Sequence, residues 1–517
     1  MILQDLRGRV ATTGGSLTID ELFRRAVARA PETIALVDPT NRASFTDGAP
    51  RQLTFAQADR IVSAMAARLR HLGLATDAIV ALQTANIVDG VLAFLAVLRA
   101  GMIAMPMPLL WRRADAVAAL SRVGAHGLIV SGRVGEVDHF ELATRFAAEA
   151  FTVRQVCGFG ANRPDGVVTL DDLDGSGTLD LPSAIGRERA DFPGAHIAVI
   201  TWDVSPAGLV AVARSHAELI AGGLAVELES RLEQHAVIHA SLMLSSFAAL
   251  ASALLPWLLT GGTLVLHHPF DPEAFAAQSA AMRCDTAVVP GPQAAQLAEA
   301  GQLNALDGLK RIVSVWRAPE RLARSAGWRD PAITMTDVQA FGEIGLVAGM
   351  RAADGRAAAV TLGPIRVPRG SRHATVLGEI MVTPNGSIAL RGPMVPVCAF
   401  PPRAEHSEIP HFKFTADGFA DTGYAARVDR DGALVVTAPP PGLVGFGGYQ
   451  FVMRDVLDLV SRIPDASLTV LPDALAGQRL AGTSRERPAA RWMLARFGVN
   501  PLIVAAFRDA RRPLTGR

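Results

Sequence analysis

Short apolar runs alternate with helical stretches along most of this chain, and that alternation limits the fold more than any single motif. The runs from Ile34 to Val37, Ala78 to Leu82, Gly127 to Val130, Phe151 to Val156, Thr286 to Val289 and Ile312 to Trp316 read as buried strands. Helical patterns lie between them. Thr18-Ile19-Asp20-Glu21 and Thr54-Phe55-Ala56-Gln57 are capping boxes, in which a hydroxyl and an amide or carboxylate three residues on satisfy each other's free backbone N–H groups. After the second box, Ile61, Met65, Leu69 and Leu72 share one helical face, and Gly73 ends the helix. Val88 to Leu98 is apolar almost all round, which suits a helix buried on every side, and Phe140 to Ala150 is a further helix. Strands that alternate with helices at this spacing predict an α/β fold with parallel sheets covered by helices.

The pattern changes twice. Gly158 to Gly194 is rich in Gly, Pro and Asp and reads as a long connection. Residues 351–436 become β-rich, with turn signals at Asn385-Gly386, Asp417-Gly418 and Asp431-Gly432. Ala438-Pro439-Pro440-Pro441-Gly442 is then the sharpest break, because three prolines continue neither a strand nor a helix. We therefore expect a large domain over 1–437, a hinge-like linker over 438–442 and a small domain over 443–517, the last with helices at Val452 to Arg462 and Ala489 to Phe497. No repeat of fixed period is present.

Composition excludes several classes. With 50 basic and 49 acidic residues among 517, and no basic run, nothing marks a nucleic-acid surface. Only Lys310 and Lys413 are lysines, so chemistry that needs a lysine has two candidates. Cys157, Cys284 and Cys398 are odd in number and far apart, which suits a reducing cytoplasm. There is no CxxC and no His pair at ligand spacing, so no metal set is read directly. Met1 to Gly15 lacks an apolar signal core, and no export is expected. Gln234 to Phe270 carries no formal charge, but Ser241, Ser245, Ser246, Pro256, Gly261 and Gly262 interrupt it. It reads as a buried helix followed by a buried strand rather than a membrane span.

One stretch looks built for a phosphate. Ile197, Val199 and Ile200 enter a short loop that leaves through Ser215-His216-Ala217-Glu218 into a helix. Yet Thr201 to Val212 holds one glycine, Gly208, and no lysine.

Four stretches in order, Leu53 to Gly73, Val80 to Pro108, Gly378 to Pro393 and Asp417 to Gly432, resemble the adenylate-forming superfamily. That superfamily holds acyl-CoA synthetases, AMP-dependent ligases, luciferases and the adenylation domains of peptide synthetases. The likeness runs over essentially the whole chain. It implies a large N-terminal domain of two αβ subdomains plus a β-barrel, and a small, mobile α+β C-terminal domain. It also implies a two-step reaction. A carboxylate attacks the α-phosphate of ATP, with Mg²⁺, and a thiol such as coenzyme A then displaces AMP. The implied partners are a carboxylic acid or acyl thioester, as in fatty acid metabolism, and a possible protein partner.

The motifs that carry this chemistry depart from the family one after another. The phosphate loop, TSGTTGxPKG in the family, aligns with Thr201 to Leu209, with Thr201, Ser205, Gly208 and the following Ser215 as its counterparts. Trp202 and Val204 replace small residues, Asp203 adds a negative charge, and Pro206 removes a donor. The gating histidine of the acyl pocket becomes Ser245, with Phe247 beside it. The small-residue loop against adenine becomes Trp316-Arg317, which either fills the nucleotide's place or stacks on the surface. YGxTE aligns with Phe341-Gly342-Glu343, which leaves Glu343 as the counterpart of the Mg²⁺-holding glutamate. TGD aligns with Thr422-Gly423-Tyr424, and a tyrosine cannot accept both ribose hydroxyls. At the hinge, Pro439 replaces an arginine and Gly442 the pivot aspartate. The catalytic lysine aligns with Arg517, the last residue, which keeps charge but not ammonium geometry.

The resemblance thus implies an AMP-forming carboxylate–CoA ligase whose activity is reduced or lost. The alternative is a non-catalytic pseudoenzyme that binds an acyl group, an acyl-CoA or a carrier protein and supports another enzyme. A hydrolase has little support, since no GxSxG elbow is present.

Overall fold

The computed structural model describes residues 17–173, 192–306, 308–402 and 404–508. Two large sheets carry the alternating pattern. The first has eight strands. From one edge they run Gly345–Met350, Thr334–Phe341, Arg311–Trp316, Thr286–Pro290, Val237–Ala240, Thr263–Leu266, Ile34–Val37 and Gln52–Thr54. Its two edge strands are antiparallel to their neighbours and the inner ones are parallel. The second sheet has seven strands, in the order Gly208–Ser215, Ile197–Ser205, Ile103–Pro106, Ile79–Gln83, Gly127–Ser131, Gln155–Phe159 and Val167–Thr169. Only its Gly208–Ser215 edge is antiparallel. Inner strands of such sheets are covered on both faces, which is why they read as unbroken apolar runs.

Helices fill three layers around these sheets. One core joins Leu36, Val288 and Val338 of the first sheet to Val80, Ala104 and Val199 of the second, through the helices Phe55–His71, Val88–Arg99 and His216–Ser230. The helices Arg113–Val123 and His139–Glu149 cover the outer face of the second sheet. Pro272–Ala281 and Gly291–Glu299 cover the outer face of the first. Within the middle layer the uncharged span forms the strand Val237–Ala240, a helical run from Phe247 to Thr260 with a π turn at Leu250–Leu254, and the strand Thr263–Leu266. Among the described residues no helix is long and apolar enough to cross a membrane. Gly222 and Gly223 let this run approach closely, since a Cβ at either would lie 2.6 Å from the Phe247 ring or 2.3 Å from Leu255 Cβ.

Sequence expectations need correction in four places. The run Phe151 to Val156 is a strand only from Gln155, with Phe151 exposed, and Val237–Ala240 adds a strand ahead of the helix in the uncharged span. The second capping box is complete, with Thr54 and Gln57 each bonding the other's N–H. The first is one-sided: Thr18 accepts from Glu21 N, but the Glu21 carboxylate pairs with Arg25 one turn on. The connection from Gly158 contains a strand, Val167–Thr169, parallel to Gln155–Phe159. The part of that connection over 174–191 lies outside the described residues.

The β-rich region forms a third, antiparallel sheet. Its end strands, Val360–Thr361 and Gly363–Val367, are joined by Leu362 alone, so the sheet curls until its two edges are neighbours in sequence. Beyond the prolines, a separate core draws all its residues from between Val444 and Phe507. It holds the hairpins Leu443–Phe446/Tyr449–Val452 and Ser467–Asp473/Gly477–Thr483, with the helices Met453–Val460 and Arg487–Phe497.

The middle layer is anchored by Trp257. Its ring is fully buried, stacks on Phe55 at 5.9 Å, and donates Nε1–H to Gly262 O at 3.0 Å. Trp257→Ala is expected to cost about 3–5 kcal/mol in urea unfolding. A loss below about 1 kcal/mol would mean that this layer does not depend on it.

Candidate active site

The stretch expected as a phosphate loop is a closed hairpin. Ile197–Ser205 and Gly208–Ser215 pair residue for residue from Thr201↔Val212 to Ser205↔Gly208, leaving only Pro206 and Ala207 as the turn. Ser205 Oγ accepts from Ala207 N at 3.2 Å and donates to Gly208 O at 3.2 Å. Thr201, Ser205 and Gly208 are therefore strand residues rather than an open cradle. The physical reason is alternation, since every second side chain faces a core. Trp202 turns outward against Trp111, ring centres 5.8 Å apart, and Thr201 is buried. Ser215 caps the helix His216–Ser230 in a full box with Glu218.

Asp203, opposite Trp202, enters the space between the two large sheets. Its Oδ2 accepts from Glu343 N at 2.7 Å and its Oδ1 from Val204 N at 2.8 Å. The turn Phe341-Gly342-Glu343 is shaped to receive it. Gly342 has φ +57°, and a Cβ there would lie 2.1 Å from Asp203 Oδ2. Asp203 is half-buried and Glu343 fully buried; Glu343 Oε2 accepts from Phe247 N at 2.6 Å, and its Oε1 lies 3.4 Å from Arg317 Nη2. Arg214 completes the group. Its fully buried guanidinium lies 3.8 Å over the Phe247 ring. It donates to the backbone oxygens of Glu343, Ile344 (2.9 Å) and Met394 (3.4 Å).

Burial raises the carboxyls of both Asp203 and Glu343 above the usual range, with the arginines opposing that rise. Burial also lowers Arg214 to about 10. Asp203 and Glu343 thus share the positive charge of Arg214 and Arg317, and Glu218 also acts on Arg214. A buried set of this kind is stable only while each member keeps its partners.

Trp316 and Arg317 part company. Trp316 is buried away from the surface and donates Nε1–H to Asp337 Oδ1 at 3.0 Å and Ser314 Oγ at 3.2 Å. It packs so tightly on Gly291 that a Cβ there would lie 2.3 Å from the indole. Arg317 turns the other way, half-exposed, toward Glu343. The pair thus forms no shared surface stack, and Trp316 packs on Gly291 rather than beside Arg317. Tyr424 is buried edge-on to Phe341 at 5.8 Å and accepts a hydrogen bond from Gln450 Nε2 at 2.8 Å. Thr422 Oγ1 donates to Ile388 O at 2.8 Å. Tyr424 thus meets the region beyond the prolines. That region also touches the helix Arg113–Val123 and the turn Pro319–Arg324, at Ala114 N to Gly498 O (2.9 Å) and Arg321 Nη1 to Leu475 O (3.0 Å).

The two residues expected to line an acyl pocket also separate. Ser245 borders a cavity of about 20 Å³ with Thr84, Asn86, Met107, Met243 and Leu244, room for about one water. Phe247 is not on that wall; it lies under Arg214. Gly442 has φ +79°, a left-handed position that glycine adopts freely. Arg517 lies outside the described residues. Sequence reasoning passed over Arg214 and Gln450 and took Asp203 only as an unwelcome charge. A signal for Arg214 existed, as it is the one charged residue in the strand Gly208–Ser215.

Asp203 and Gly342 give a direct test of this packing. Gly342→Ala should be strongly destabilising in the native background and clearly less so in an Asp203→Gly background, with a coupling of at least about 1 kcal/mol by chemical denaturation. Part of the cost, about 1 kcal/mol of left-handed strain, should persist in both. Purely additive effects would show that the carboxylate does not sit against that turn.

Comparison with known proteins agrees with this architecture. The AMP-binding enzyme family model matches residues 23–330. The 2-hydroxy-7-methoxy-5-methyl-1-naphthoate–CoA ligase of Streptomyces carzinostaticus is 27% identical over 488 residues, covering 88% of this chain and 81% of the ligase. Pyochelin synthase PchD of Pseudomonas aeruginosa is 26% identical over 482 residues, covering 89% of this chain and 81% of the synthase. The amide bond synthetase McbA of Marinactinospora thermotolerans superposes with a TM-score of 0.68 at 18% identity, over 94% of each chain, a likeness of fold. With its two parallel sheets, its curled third sheet and this match over more than half its length, the chain belongs to the AMP-binding enzyme family.

Proposed function

We propose that this member of the AMP-binding enzymes has lost ATP-dependent carboxylate activation and serves as a non-catalytic protein that supports a partner enzyme. The observation that carries this reading is the seat of Asp203. At the hairpin tip the family offers backbone donors and a lysine to phosphates. Here that hairpin offers a half-buried carboxylate already bonded to Glu343 N. A phosphate brought to it would meet like charge in a poorly solvated space.

ATP with Mg²⁺ does not fit the residues present. Glu343 and Asp203 are the carboxylates available to a cation, and three of their four oxygens accept backbone N–H groups while the fourth faces Arg317. Mg²⁺ demands near-octahedral oxygen ligands, and two neighbouring guanidiniums oppose a further cation. Tyr424, at the position of the ribose-binding aspartate, is engaged by Gln450. No catalytic step is therefore derived through the nucleotide.

The acyl-binding alternatives find less support, because the cavity at Ser245 holds about one water rather than an acyl chain. A role toward a protein partner requires neither site. Carboxylate-dependent ATP–pyrophosphate exchange, assayed over a broad panel of aromatic, aliphatic and amino acids, tests the reading. Exchange should equal the enzyme-free background with every acid. Robust exchange with any acid would overturn the proposal and identify an AMP-forming ligase.

A further inference from the structure

A second pocket lies away from the Asp203 group, on the second sheet. The strand Ile79–Gln83 leads through the helix Val88–Arg99 to its neighbour Ile103–Pro106 on one side. The chain then returns through Arg113–Val123 to Gly127–Ser131 on the other side. The first helix packs in the core between the sheets and the second on the outer face. The gap between Ile79–Gln83 and Gly127–Ser131 is thus where the winding reverses. In open α/β sheets ligands bind at such a point, beyond the carboxyl ends of the strands.

A cavity of about 500 Å³ opens there, bordered by Ile87, Ser131 and Phe159 among others. That volume suits a small molecule. Its charged walls are built in with care. Arg42 is buried between Asp38 and Asp89, and its guanidinium lies where a Cβ on Gly48 would be, 2.4 Å from Nη2. Arg133 pairs with Asp47 at 2.7 Å, and Asp172 faces Arg68 at 3.4 Å. Two charged groups on the wall have no ion-pair partner among the described residues. Asp171 accepts from Gly160 N at 2.8 Å through Oδ2, and Arg163 lines the same wall.

We propose that this pocket binds a small zwitterion, its ammonium at Asp171, its carboxylate at Arg163 and an apolar body against Ile87 and Phe159. Among the described residues the wall offers one unpaired charge of each sign, its other charges being paired, which favours a ligand carrying one of each over a simple anion or cation. Charge-assisted hydrogen bonds at both ends supply the selectivity.

Calorimetric titration of the full chain with the standard amino acids, L-phenylalanine included, tests this. At least one should bind saturably at one site. For L-phenylalanine, 3-phenylpropionate (no ammonium) and phenethylamine (no carboxylate) should each bind about tenfold or more weakly, a difference of about 1.4 kcal/mol. Asp171→Asn and Arg163→Gln are surface changes that should leave the melting temperature in place and weaken binding to the same degree. No binding across the panel, half-ligands equal to the zwitterion, or variants that bind as the native chain does would each overturn the proposal.

Discussion

The Asp203 carboxylate ties the second sheet to the first. Asp203 belongs to the second sheet, and the N–H it binds belongs to Glu343, just past a strand of the first. Burying a carboxylate is costly unless donors and cations surround it. The neighbouring features follow from that demand. Gly342 lacks a side chain so that the carboxylate can approach, Arg214 and Arg317 supply positive charge, and Phe247 supports Arg214 from below while its N–H satisfies Glu343. Remove the carboxylate and two guanidiniums lose part of their reason to sit there.

The fold was legible because long periodic segments report their own burial. Val88–Arg99 is buried nearly all round, as its apolar surface required, and the capped helix from Phe55 turns its predicted stripe inward. The short strand Val167–Thr169 was not legible, because three residues among glycines and aspartates carry no period. Val237–Ala240 was hidden inside an apolar run that its helical neighbour dominated. At the site, the family alignment named candidate positions. It could not say which way side chains pointed. Trp316 and Arg317 are adjacent yet turn to opposite surroundings, and Asp337, which receives the indole N–H, is 21 residues away in sequence. The hairpin was misjudged for a related reason. A loop inherited in position was read as a loop in shape, although Ser205 and Gly208 close a two-residue turn.

The region beyond the prolines matters to the same argument. In the family, as the resemblance implies, a small mobile domain turns between two half-reactions. Here Gln450 grips Tyr424, Gly498 receives Ala114 N–H, and Arg321 grips the Ala474–Leu475 turn. Gly477 and Gly498 make the last two approaches possible, since a Cβ on either would lie 3.1 Å from Arg321 or 2.7 Å from Arg113. Several contacts of this kind hold one arrangement, with Tyr424 among its anchors.

The proposal of lost ATP chemistry turns on whether the chain still takes up the nucleotide. Equilibrium binding of ATP with Mg²⁺ to the full chain measures this without any assumption about substrate. The account predicts no saturable binding up to about 1 mM, a free energy of about −4.1 kcal/mol. Stoichiometric binding in the micromolar range, weakened by substitution of Glu343 or Tyr424, would contradict it.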